Sequence, residues 1–160
     1  MKISFSLSTR LEHQHESLAD SLNELPDEQI RRQIILGKWS IFENIVHLQT
    51  YQHTFLQRIE RILAENNPSF PRYTAEADPE FLDNCERPTR EIIRDLENTR
   101  KEMAFILLSL STDALDRTGT HPVFGKMTVL QWLNFFLLHE AHHLFTVFKL
   151  GAELRKTAGF

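Results

Sequence analysis

The apolar residues of this chain recur at helical spacing in four long segments. Leu11, Leu18, Leu22 and Leu25 mark one side of a first helix that Ser8 or Thr9 can cap and Pro26 ends. Residues 26–37 read as a short helical turn and a connection. From Ser40 onward, Ile41, Ile45, Leu48, Phe55, Ile59 and Ile62 form a stripe. Ser40 with Glu43 three residues on is a capping-box arrangement, and Asn66-Asn67-Pro68 stops this second helix. Residues 67–88 hold Pro68, Pro71, Pro79 and Pro88 among Glu76, Asp78, Glu80 and Asp83, with no period, and read as a long crossover connection. A third helix is predicted over residues 89 to about 109 from Ile92, Ile93, Leu96, Met103, Ile106, Leu107 and Leu110. Residues 118–126, with His121-Pro122 and Gly125, read as a loop, and a fourth helix runs from 128 to about 155. The pattern predicts an all-α four-helix bundle with a long crossover between helices two and three, one domain over residues 1–160.

Charge and cysteine content narrow the function classes. With 18 basic and 22 acidic residues the net charge is -4, and no run of Lys or Arg offers a phosphate-binding surface, so a nucleic-acid partner is not expected. Nothing approaches eighteen consecutive apolar residues, and Met1-Lys2-Ile3-Ser4-Phe5-Ser6 does not resemble a signal peptide. Cys85 is the single cysteine, which suits a reducing compartment. A soluble cytoplasmic protein is the expectation.

Candidate chemistry gathers in the last segment. His139-Glu140-Ala141-His142-His143 spells H-E-x-x-H, a string that on a helix can mark a zinc protease. At about 100° per residue, His139 and His143 fall within roughly 60° of Trp132, on the core-facing stripe, while His142 and Glu140 lie roughly 80° to either side. Two imidazoles stacked in a greasy stripe must both stay neutral and partnered. A shared divalent cation solves both problems. A third ligand has to come from another segment, and His13, His15, His47, His53 and His121 are available. His121 reads as a solvated loop residue, and His13 and His15, two apart, cannot share a helical face. His47 and His53 border the second helix's stripe on opposite sides, so periodicity does not choose between them. Glu43, Asn44, Tyr51 and Thr54 share the side of His47 and lean towards it.

The protease reading fails downstream of the motif. Only 17 residues come after His143, Thr146 stands where an extended zinc-protease motif has glycine, and Glu153 would project about 15 Å further along the same helix. Glu140 then reads as a flank residue or a contact behind the ligands.

The stretches Gly37-Lys38-Trp39-Ser40-Ile41-Phe42-Glu43-Asn44-Ile45-Val46-His47-Leu48, His121-Pro122-Val123-Phe124-Gly125-Lys126-Met127-Thr128 and His139 to His143 together resemble the DinB-like (YfiT-like) superfamily. The resemblance covers most of the chain in order and length. It implies a four-helix bundle with a long crossover, commonly a homodimer, holding a divalent metal through His47, His139 and His143, and so selects His47 over His53. It further implies either thiol-dependent S-transferase or isomerase chemistry on a small-molecule substrate with a low-molecular-weight thiol, or hydrolysis. Zinc or nickel lead as the metal, with iron or manganese next. Tyr51, Glu43 and Glu140 are candidate catalytic helpers, and Phe135, Phe136, Phe145 and Phe148 candidates for a dimer face. Thr146 departs from the glutamine common in that superfamily three residues after the last ligand. The alternatives are a non-enzymatic module that binds metal or a small ligand, and a scaffold whose histidines only pack.

Overall fold

The computed structural model describes residues 2–158, which fold as a four-helix bundle. The first rod is interrupted: α1 (Phe5–His13) passes through a 3-10 turn (Gln14–Glu16) into α2 (Ser17–Leu22). Its cap is Ser4, whose hydroxyl accepts from the Leu7 amide, one turn earlier than Ser8 or Thr9. A short α3 (Asp27–Arg31) leads to α4 (Ile41–Ala64). The capping box of α4 forms as expected: the Ser40 hydroxyl accepts from the Glu43 amide, and the Glu43 carboxylate accepts from the Ser40 amide at 2.6 Å. After the crossover, with its short α5 (Pro79–Cys85), come α6 (Thr89–Leu108), α7 (Thr112–Asp116) and the last rod, α8 (Val129–Ala158).

The stretch expected to be a loop is a hairpin. β1 (Thr118–His121) pairs antiparallel with β2 (Gly125–Thr128), opposing His121 to Gly125 across Pro122, Val123 and Phe124. Gly125 takes φ 72°, the left-handed conformation that closes three-residue hairpins. The crossover docks on this hairpin: the Phe70 amide donates to Thr120 O and the Thr120 amide to Pro68 O. The hairpin carries His121 out of solvent to a buried position against Phe124, Trp132 and Phe135.

The core is apolar at both ends and polar across its middle. One cluster holds Leu11, Phe55, Ile59, Met103, Trp132 and Phe136, the other Leu18, Ile41, Ile45, Ile92, Leu96 and Val147. Between them each rod contributes polar groups: Gln14 from the first, Gln52 and His47 from α4, Arg100 from α6, and Glu140, His139 and His143 from α8. On one side of α8 this layer is a buried ion pair. Arg100 contacts both oxygens of Glu140, donates to Gln52 Oε1 and Leu11 O, and Glu140 also accepts from Gln14 at 2.8 Å. On the other side it is a cluster of imidazoles.

Candidate metal centre

His139 and His143, one turn apart on α8, meet His47 from α4. The Nε2 atom of His139 lies 3.3 Å from that of His47 and 3.2 Å from that of His143. The three potential ligand atoms all fall within 4.8 Å of one another. His47 is buried, and the other two are half-buried. Burial foremost, then the cost of placing a second positive charge beside neighbouring histidines (and beside Arg58 for His139), lowers all three pKa values: His139 to about 4, His143 to about 3, His47 further still. The rings are therefore neutral at physiological pH, the state in which an imidazole can donate a lone pair.

The tautomer of His143 is fixed. Asn44 Oδ1 sits 2.9 Å from its Nδ1, and Asn44 Nδ2 in turn donates to Ser40 O, which settles the orientation of the amide. Nδ1 of His143 must then carry the proton, leaving Nε2 as an acceptor directed at the cluster. Nδ1 of His47 and of His139 have no partner among the described residues. Two ligands held at about 2.0–2.1 Å in tetrahedral directions stand roughly 3.3–3.4 Å apart, and the observed 3.2 and 3.3 Å separations agree. Nitrogens converging at this spacing, one of them with its proton held on the far side, fit a divalent cation.

Aromatic rings wall the cluster. Trp39 lies 5.0 Å from the His47 ring, Tyr51 4.6 Å from His139 and Tyr73 5.8 Å from His47, between ring centroids. Two clefts open onto it. One, of about 720 Å³, runs between the segment around Gly37 to Trp39 and the outer side of α8 at His142, Thr146 and Phe148. The other, of about 800 Å³, lies under the crossover and the hairpin and is lined by His47, His139, Tyr51, Arg58, Tyr73 and His121 among others. Trp39, Glu76 and His143 line both.

Of the candidate helpers, only Tyr51 is at the cluster. Burial raises its pKa, so it stays a protonated donor, while its oxygen accepts from Arg58 at 3.4 Å. Glu43 is occupied by the capping box, and Glu140 faces away into the Arg100 pair, so neither reaches the imidazoles. His53 is held by Glu80 and Thr99, His13 pairs with Glu16 at the surface, and His15 is buried elsewhere. The Thr146 hydroxyl bonds back to His142 O. Of the aromatic residues considered for a dimer face, Phe136 is core and Phe135 packs on it, while Phe145 and Phe148 are exposed. Sequence reasoning missed Trp39, Tyr73 and Arg58. Arg58 carried a signal, because it follows Tyr51 by seven positions and so shares its side of the helix.

Comparison with known proteins identifies the family and the fold. A family model described as the DinB superfamily matches residues 10–147. A protein of Oceanobacillus iheyensis, provisionally named a metal-dependent hydrolase, is 24% identical over 127 residues, covering 79% of this chain and 73% of its own. YuaE of Bacillus subtilis is 27% identical over 141 residues, covering 78% and 85% respectively. Among solved structures, YfiT of Bacillus subtilis, also provisionally described as a metal-dependent hydrolase and as having an unusual four-helix bundle topology, superposes with a TM-score of 0.80 at 19% identity, over 93% of this chain and 86% of that one. At that identity the likeness speaks to the fold.

Proposed function

The chain belongs to the DinB superfamily, and on that premise we propose that it is a metal-dependent enzyme whose His47, His139 and His143 hold a divalent cation for thiol-dependent S-transfer to a small electrophilic substrate. Zinc or nickel suits three neutral imidazoles ahead of iron or manganese. A cation so bound would supply Lewis acidity, easing loss of the proton from a thiol or a water. The observation that carries the transfer reading is the pair of clefts meeting at Trp39 and His143, which gives two reactants separate approaches to one place. The chain's own thiol is unsuited to the part. Cys85 lies beside Glu43 away from the imidazoles, and burial raises its pKa to about 11. The thiol is therefore a separate small molecule.

In the step itself the thiol's proton passes to solvent, sulfur bonds to the electrophilic carbon, and the leaving group departs from that carbon with its electron pair. Tyr51, protonated and within ring contact of His47 and His139, is placed to donate to charge that develops on oxygen. Trp39, Tyr51 and Tyr73 give the reacting groups an aromatic wall between the two clefts. Hydrolysis is the second reading, favoured by the provisional names of the relatives. The exposed Leu138, Phe145 and Phe148 on one side of α8 are the surface we assign to a homodimer, which light scattering would read as twice the monomer mass.

Protein purified without chelator should contain one divalent metal per chain, lost in His139→Ala. It should join monochlorobimane to one of a panel of small thiols only when the metal is present. Metal-dependent cleavage of esters or amides without any thiol would move the assignment to hydrolysis, and absence of metal would sink both.

A further inference from the structure

Arg58 is 7% exposed, and no carboxylate pairs with it among the described residues. Its guanidinium donates to Pro71 O at 3.1 Å and to Tyr51 Oη at 3.4 Å, and its carbon stands 5.6–5.9 Å from the rings of Tyr51, Phe70 and Trp132. Guanidinium has five N–H donors, so most of them have no hydrogen-bond partner among the described residues. A buried cation without counter-charge is costly unless something else supplies the charge. This one lines the cleft that leads to the imidazoles.

Two further donors line the same cleft. His121 Nδ1 accepts from the Val123 and Phe124 amides, at 3.1 Å each, so the proton of the neutral ring sits on Nε2. No residue among those described accepts from that Nε2. Arg72, on the exposed rim, is likewise without a carboxylate among the described residues. The one acidic residue in this lining, Glu76, also lines the other cleft with Trp39 and His143, which puts it towards the imidazole end. The cleft is therefore polarised, with three histidine nitrogens at one end and, beyond Tyr51, three donor side chains that no carboxylate among the described residues neutralises.

We propose that Arg58, Arg72 and His121 form a subsite for a carboxylate of the substrate, about one tyrosine ring away from the imidazoles. The subsite rests on the metal-dependent reaction proposed for the cluster and adds the substrate's class: a small carboxylate-bearing molecule whose reacting atom reaches His47, His139 and His143. A guanidinium fork matches a carboxylate with two parallel hydrogen bonds. Arg58 is the one buried cation of the subsite, Arg72 standing hydrated at the rim, so one negative charge balances it, whereas a phosphate monoester carries about -1.5 to -2 at neutral pH. Tyr51 couples the two ends, its ring against His139 and its hydroxyl under Arg58.

The experiment titrates benzoate, its neutral isostere benzamide, and inorganic phosphate into the protein, metal-loaded and chelator-treated, following amide shifts by NMR. Benzoate should bind both forms, with benzamide and phosphate each weaker by roughly tenfold or more, as expected when a hydrogen bond to a charged group is lost. Arg72→Met and Arg58→Lys should each lower benzoate affinity by a similar factor while keeping the wild-type amide spectrum elsewhere. Arg72 is at the surface, so its variant tests the subsite even if Arg58→Lys does not fold. Benzoate binding that requires metal and ignores both arginines would overturn the subsite and leave the metal reading standing. Phosphate binding tighter than benzoate, or no anion binding at all, would also overturn it. Arginine-dependent benzoate binding by a protein that takes up no metal would uphold the subsite while the metal reading falls.

Discussion

His139 and Glu140 are consecutive on α8, about 100° apart around the helix, and meet different partners. The imidazole of His139 points its Nε2 at His47 and His143, while the carboxylate of Glu140 is buried against Arg100 of α6. This separates the string H-E-x-x-H into two structures that share a helix. The histidines belong to the open cluster, and the glutamate belongs to the ion pair that ties α8 to α6 and, through Gln14, to the first rod. Both lie in the same polar layer between the two apolar clusters.

Glu140→Gln accordingly acts on stability rather than on metal binding. It leaves the Arg100 guanidinium buried without a counter-charge, an imbalance that costs about 3–5 kcal/mol. Urea denaturation should show that loss, while the folded fraction retains wild-type metal content. Replacing both partners, Arg100→Met with Glu140→Leu, should recover most of it, because the desolvation penalty disappears with the charges. A Glu140→Gln protein of normal stability but without metal-dependent turnover would return the carboxylate to the reacting site.

Asn44 orients His143, and its removal should weaken the metal without unfolding the chain. Asn44→Ala deletes the acceptor that holds the proton on Nδ1. Loss of such a partner typically lowers metal affinity about 10–100-fold. Competition with a chromophoric chelator measures this directly. Asn44→Asp, which keeps an acceptor there, should stay closer to wild type, and equal affinity for all three proteins would exclude the orienting role.

Much of the bundle is legible in the sequence because it is local. The α4 boundaries follow from Ser40, Glu43 and the Asn66-Asn67-Pro68 stop, and the inward stripe of α8 puts His139 and His143 together from spacing alone. The hairpin is not legible, since four-residue strands flanked by Gly and Pro carry little period and are held partly by pairing of Thr120 with Ser69 across 51 positions. The burial of His121 escapes sequence reasoning for that reason: it depends on the hairpin forming and folding against Trp132 and Phe135 of α8. The Arg100 to Glu140 pair is likewise a product of rods brought together, and helical period places each residue on a face without saying which face it meets. The first helix starts after Ser4 rather than Ser8 because either serine can cap, and packing decides which one does.

His15 should make stability fall in mild acid. Burial first, then the positive charge of Arg100, lowers its pKa from 6.5 to about 4, with Lys101 and His13 acting the same way and Glu16 against them. The unfolded chain binds the proton more readily than the folded one. Its contribution is thus fully present above pH 6.5 and is lost as pH falls towards 4, by up to about 3 kcal/mol. The imidazoles of the metal cluster shift in the same direction, so the comparison is between wild type and His15→Leu, which share them. The difference in unfolding free energy between the two should change across pH 4–6.5 and be flat above it. A pH-independent difference would mean that His15 titrates alike in both states.

Gly119→Ala should destabilise the hairpin on which His121 depends. A Cβ at Gly119 would stand 2.7 Å from Ile62 Cγ1, 2.9 Å from Ile62 Cδ1 and 2.9 Å from Phe70 Cε2. Ile62 and Phe70 are both buried, so neither can swing away, and Gly119 O also receives the Trp132 indole proton at 3.3 Å. Overpacking of this kind costs about 1–3 kcal/mol. At roughly 2–4 °C per kcal/mol for a chain of this size, the loss is visible in a thermal melt. Ile62→Ala removes both of the Ile62 carbons concerned, at its own cavity cost. Because β1 approaches α4 this closely, the double variant is less destabilised than the sum of the two single ones. Strict additivity would mean that the backbone at Gly119 has room for a methyl group.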